Sequence, residues 1–255
     1  MDATFTNDYS QRTVGQRFHV WMAGVFVVCA FGGFVPTYWI KVAGGTFHAP
    51  PIIHIHGALL FSWCLLYFAQ TAWIASGRTA THRAWGTAGI ALFTAMICSI
   101  LVTKVVLMRL DEARGFGEAG RRFSAVALCS VPTLVVLFTA AIANVRKPEV
   151  HKRLMYTVMC GLMIPAFARV CLILLAPPGA AESGPPPPVV VVAPTLIAAI
   201  FIAVGWVHDW RTIGKIHWAS LIGGLTVVLV TLAIVPFADT ALWRSFAQSI
   251  QALGG

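Results

Sequence analysis

Residues 188–207 read PVVVVAPTLIAAIFIAVGWV, twenty consecutive positions without a charge. One α-helix of that length rises about 30 Å, the thickness of a bilayer's hydrocarbon core. A helix on the surface of a soluble domain would carry a polar side. This run offers only the Thr195 hydroxyl and the Trp206 indole. It opens on Gly184-Pro185-Pro186-Pro187-Pro188. Prolines lack amide protons and restrict the residue before them, so the link Pro177–Pro188 is expected to be an extended polyproline loop. The run closes on His208-Asp209, where polar residues resume.

Six further runs have the same character: 19–40, 52–76, 84–106, 123–143, 153–176 and 217–237. The expected fold is therefore an all-α integral membrane bundle of about seven transmembrane helices over 19–237, after a cytoplasmic N-terminal segment, 1–18. That segment is polar, holds Asp2 and Asp8, and lacks the pattern of a cleaved secretory signal. The tail 238–255 differs. Leu242, Trp243, Phe246, Ile250 and Leu253 recur at helical spacing with Arg244, Gln248 and Gln251 between them, and Asp239 or Thr240 stands where a cap belongs. A short amphipathic helix lying on the interface is expected there.

Composition agrees. Of 255 residues, 58% are hydrophobic and 11% charged, under half the charge of a typical soluble domain. The mean hydropathy is +0.80. No soluble core of this size hides so much apolar surface, so a second, soluble domain is not expected. The chain holds no G-x-S-x-G, P-loop or dinucleotide fingerprint, which sets soluble catalysis aside. The net charge of +9 resides in short loops, where it meets anionic lipid headgroups rather than nucleic acid. The six cysteines, all within apolar runs and none in a C-x-x-C, read as packing residues.

Orientation follows from Lys and Arg near the helix ends. One face gathers Arg12, Arg17, Arg78, Arg83, Arg146, Lys147, Lys152, Arg153, Arg211 and Lys215. The other gathers Lys41, Lys104, Arg109, Arg114, Arg121, Arg122 and Arg244, diluted by Asp111, Glu112, Glu118, Glu182 and Asp239. The first is the more basic and is expected in the cytoplasm, with the C-terminus outside.

On that topology His19, His82, His151, His208 and His217 all fall at the basic face, on five different helices. Asp209 lies beside His208, and His48, His54 and His56 cluster at the other face. Imidazoles from separate helices at one depth have the chemistry of a metal or haem site. Histidine also favours interfaces for its own sake. His82 and His151 each open a helix, with Arg83 and with Lys152 and Arg153 alongside. Helix N-termini and guanidinium groups together suit an anion such as a propionate, a phosphate or a lipid headgroup.

At the other face, His56, Trp63 and Gln70 are spaced by seven and share one side of a helix. His54 and His56 stand about 200° apart and face different partners. Arg169 sits inside an apolar run, four residues after Pro165, and an intramembrane arginine is a functional candidate. His54, His56, Gln70 and Arg169 are the candidates for a quinone or another small polar headgroup.

The series His56-Gly57, Gln70, Gly77-Arg78, His82-Arg83-Ala84-Trp85-Gly86, Asn144, His151-Lys152-Arg153-Leu154-Met155 and Arg169 resembles a group of bacterial multi-pass membrane proteins of unknown function. The likeness covers roughly residues 54–170 and implies a bacterial inner-membrane protein without implying an activity. More loosely, His82-Arg83-x-x-Gly86 and Arg146-Lys147-Pro148-x-x-His151-Lys152-Arg153 look like the cytoplasmic histidine segments of the ascorbate-reducible transmembrane cytochromes b and their ferric-reductase relatives. That similarity implies haem b on His82 and His151 and electron transfer, with Arg83 and Arg153 pairing the propionates. The chain departs from the pattern in one respect. Residues 123–143 hold no histidine, so a second haem toward the opposite face lacks a ligand pair. Two other expectations stand beside this one. The first is a non-haem zinc or iron enzyme acting on lipid through His19, His208, His217 and Asp209. The second is a transporter or non-catalytic subunit, for which Pro36, Pro132, Pro165 and Pro194 would kink four helices.

Overall fold

The computed structural model describes residues 3–175 and 184–252, with side chains from Arg17 onward. Among them the chain is all helical: α1 (Ala3–Gly33), α2 (Ile40–Ala43), α3 (Pro51–Ala75), α4 (Thr79–Ala113), α5 (Gly117–Ala143), α6 (Pro148–Leu175), α7 (Val192–Ile213), α8 (Trp218–Phe237) and α9 (Ala241–Ala252). Seven segments are long and apolar enough to cross a membrane: Arg17–Ala43, Pro51–Ala75, Thr79–Ala113, Gly117–Ala143, Pro148–Leu175, Pro188–Ile213 and Trp218–Phe237. The all-α membrane bundle expected from the sequence is the fold.

Several helices outrun their apolar runs, α4 and α5 among them. α4 begins five residues before residue 84 and ends seven after 106, and α5 begins six before 123. Hydropathy stops where lipid stops, but a helix that already makes its backbone hydrogen bonds continues into the polar layer. There Arg121 of α5 pairs with Glu112 of α4. Within the first span, Pro36 removes an amide donor, and the helix answers with a π-helical turn, Val35–Trp39. Of the proline-rich link, Gly184–Pro187 is described. Pro187 is extended at φ −66°, ψ 151°, and a single 3₁₀ turn, Pro188–Val191, leads into α7. Residues 177–183 of that link, with Glu182, lie outside the described residues.

α6 is the central helix. Half of its most apolar stretch is buried, and it touches α1, α5, α7 and α8. Gly33 brings α1 in close, since a Cβ there would stand 2.7 Å from the Ala166 carbonyl oxygen of α6. Around the middle of α6, Trp63 and Phe93 pack with Phe138, and the Trp63 indole N–H points at Met159 Sδ, 3.2 Å away.

α9 lies on the face opposite the basic one and is docked rather than loose. Thr240 is its cap, its hydroxyl accepting the Trp243 N–H at 3.2 Å, while Asp239 pairs with Arg122. Trp243 is buried among Ala125, Ile234 and Ala238, and Leu242 and Phe246 face outward. Leu253 lies outside the described residues.

Candidate functional site at the basic membrane face

The first turns of α4 and α6 and the last turns of α3, α5 and α7 meet at the basic face. The five histidines there do not form one cluster. They form two pairs and a helix cap.

His82 of α4 and His151 of α6 face each other with ring centroids 6.4 Å apart and planes at 77°. His151 Nδ1 lies 2.8 Å from the Ala141 carbonyl at the end of α5. A carbonyl only accepts, so Nδ1 carries the proton and Nε2 keeps a free lone pair. A hydrogen bond of this kind presets a histidine for a metal. The Nδ1 of His82 is buried with no hydrogen-bond partner among the described residues. Arg83 is exposed.

His19 of α1 and His208 of α7 make the second pair, with centroids 6.1 Å apart. Phe18 stacks flat on His208 at 3.9 Å, and Tyr156 closes the group 6.0 Å from His19. Here, among the described residues, no carbonyl or carboxylate orients either imidazole by a hydrogen bond, and one face of His208 is already covered.

The remaining candidates on this face already have protein partners. Arg153, expected to meet a propionate, and Asp209, expected to ligate a metal, are committed to each other. Both are almost fully buried. Arg153 Nε donates to Asp209 Oδ1 at 2.8 Å, and its terminal nitrogen lies 2.7 Å from the same oxygen. Asp209 Oδ2 accepts from the Ser220 hydroxyl at 2.6 Å and from the His217 N–H at 3.3 Å. The guanidinium also donates to the Glu149 carbonyl at 2.8 Å. A buried charge pair survives when every lone pair and proton is used, and here α6, α7 and α8 are tied together by it. His217 is likewise no ligand. Its Nδ1 accepts the Ala219 N–H at 3.1 Å and caps α8.

The cap makes a pH prediction. Burial, followed by the positive charge of Arg153, holds the His217 imidazole below its ordinary value. The folded protein needs the neutral ring, because a protonated Nδ1 cannot accept. The unfolded chain binds that proton near pH 6.5, the folded chain only at lower pH, so stability falls as pH drops below about 6.5. Thermal unfolding between pH 7.5 and 5 is expected to show a smaller acid loss in His217→Asn, which caps without titrating. His217→Ala is expected to cost about 0.5–2 kcal/mol at neutral pH.

At the opposite face the four headgroup candidates separate. His54 Nδ1 meets the Tyr38 hydroxyl at 2.8 Å. His56 Nδ1 meets Ser99 Oγ at 3.0 Å. Ser99 spends its own proton on the Met96 carbonyl, so His56 donates. Gln70 is fourteen residues along α3 from His56, about 21 Å away at the basic end. Arg169 lies over the Phe34 ring, 5.6 Å from its centroid. No single ligand touches all four.

Sequence reasoning missed Ser220 and Glu149 as partners of the buried pair, Phe18 and Tyr156 beside His19, and Lys104 near Arg169. For the first two a signal existed. Asp209 is an acidic group in a membrane-buried helix, and such a group requires a cation and donors at its own depth. Phe18 and Tyr156 carried no signal beyond ordinary apolar spacing. No protein-family model, no curated protein and no solved structure matches the chain.

Proposed function

We propose that the bundle is a membrane haem protein with a redox role, its iron held between His82 and His151. The observation that supports this is their separation. Two imidazoles bound to one metal from opposite sides, each at about 2.0 Å, place their ring centroids roughly 6 Å apart. The two rings stand at 6.4 Å. A tetrahedral ion would draw them closer and would need two further protein ligands. Among the described residues no group of three or more His, Cys, Asp or Glu side chains is placed to hold a metal. Two donors alone would suit a group that brings its remaining ligands with it, which favours haem over the zinc or non-haem iron enzyme.

Haem b bound there would supply one-electron chemistry. The chain's own residues would do the rest. Ala141 fixes the proton of His151 on Nδ1 and leaves Nε2 for the iron. Arg83, exposed beside His82, remains free for a propionate, a part that Arg153 cannot share. Arg153 acts at one remove, holding the first turn of α6 against α7. The excess of Lys and Arg supports a cytoplasmic location for this face, and an electron partner would then meet the haem there. The likeness of the His82 and His151 segments to transmembrane cytochromes b points the same way.

The test is the absorption spectrum and iron content of protein purified from haem-supplemented cells. About one haem per chain is expected, lost in both His82→Ala and His151→Ala and kept in His19→Ala. A colourless, iron-free wild type, or colour that survives both substitutions, would overturn the reading.

A further inference from the structure

Near the opposite face, where α4 and α5 leave the apolar layer, a cavity of about 410 Å³ opens between α4, α5 and α6. Its size lies in the range of small-ligand sites. Lys104 and Asp111 of α4, Arg114 and Phe116 of the turn that follows, Phe123 of α5 and Arg169 of α6 line it, with residues 184–186 of the proline-rich link at its edge. Three cations thus face one carboxylate. None of the three makes an ion pair among the described residues, whereas the neighbouring Arg121 takes Glu112 and Arg122 takes Asp239. Lys104 and Arg169 rest instead on aromatic faces. The ammonium is 5.2 Å from the Phe123 centroid, and the guanidinium is 5.6 Å from that of Phe34. A cation over a ring keeps its hydrogen-bond donors free.

Lys104 of α4 and Arg169 of α6 therefore deliver their donors into one largely apolar cavity, in which Asp111 is the acid among the described residues. An isolated charge at this depth is costly and persists where it has a counter-ion to meet. Arginine offers a planar fork that matches phosphate oxygens, and lysine adds a point charge. We propose that this cavity binds a phosphate-bearing anion, with Arg169 and Lys104 on the phosphate oxygens and Phe116 and Phe123 against its apolar part. Asp111 sets the limit on charge: with three cations against one acid the cavity carries a surplus of two positive charges, which a phosphomonoester neutralises and a phosphodiester reduces by half. Its level at the edge of the apolar layer makes an anionic lipid headgroup of that leaflet one source, and a soluble phosphoester the other. This site is independent of the histidine pair and stands or falls without it.

The experiment uses the full chain in detergent. Thermal unfolding is followed against dioleoylphosphatidylglycerol, dioleoylphosphatidylcholine and glycerol 3-phosphate. Saturable stabilisation by phosphatidylglycerol but not phosphatidylcholine assigns a lipid. Stabilisation by glycerol 3-phosphate assigns a soluble ester. In either case Arg169→Gln and Lys104→Gln are expected to weaken binding about tenfold or more, while the exposed Lys215→Gln on the other face leaves it unchanged. Arg169→Lys retains the charge and serves where Arg169→Gln does not fold. Stabilisation by none of the three, equal stabilisation by both lipids, or full binding by Arg169→Lys and Lys104→Gln together would overturn the proposal.

Discussion

Asp209→Ala is expected to cost about 3–5 kcal/mol, the range for removing one partner of a buried ion pair. The carboxylate receives Arg153 on one oxygen and Ser220 and the His217 N–H on the other. Without it a guanidinium with 5% of its side chain exposed keeps only Glu149 at the rim. Ser220 and the N-terminus of α8 lose their acceptor as well. Asp209→Asn retains the shape and one acceptor oxygen but turns a donor toward Ser220, so its loss should be smaller yet clear. The informative variant is the double one, Arg153→Met with Asp209→Leu. It removes the stranded charge together with its cause, and should recover much of what Asp209→Ala loses. Unfolding in mixed micelles measures all of them. Equal losses in single and double variants would mean that the pair does not hold the three helices together.

Trp243→Ala is the second large effect. Trp243 is 2% exposed, and its indole N–H donates to the Arg121 carbonyl of α5 at 2.9 Å. Truncating a buried Trp costs about 3–5 kcal/mol. The lower end is expected here, because lipid chains can refill part of the space. The damage should stay local: α9 undocks from α5 and α8, Arg244 becomes open to trypsin, and the seven spans remain folded. Leu242→Ala, at a side chain 70% exposed, should change neither cleavage nor stability. Cleavage at Arg244 that is equal in wild type and Trp243→Ala would show that the indole does not anchor the helix.

The contrast between Leu242 and Trp243 shows how far the sequence can be read. Spacing placed both on one apolar helix, and that helix exists. Spacing could not say which of two adjacent residues faces protein and which faces lipid, since both solvents are apolar. The seven spans were legible for the complementary reason. A run such as 188–207 has only one solvent that accepts it. The polar ends of α4 and α5 were not legible, because hydropathy registers lipid and not hydrogen bonding.

For the site, depth was legible and pairing was not. Five histidines at one level follow from counting residues along each helix. Which rings meet depends on helix rotation and neighbour order, and no single residue encodes those. His217 illustrates the point. Its place before an apolar run fits a ligand and a cap equally, and only the Ala219 N–H beneath its ring decides for the cap. Arg153 and Asp209 illustrate it again, being separated by 56 positions and adjacent in space.

The most direct measurement is the low-temperature electron paramagnetic resonance spectrum of the oxidised protein. His82 and His151 stand with their ring planes at 77°. Were they to hold a haem iron, imidazoles so crossed would leave two iron d orbitals nearly equal in energy. The expected spectrum is therefore low-spin with one strongly anisotropic low-field feature, absent from His82→Ala and His151→Ala. A high-spin ferric signal in the wild type, or no iron signal at all, would contradict a metal shared by these two rings.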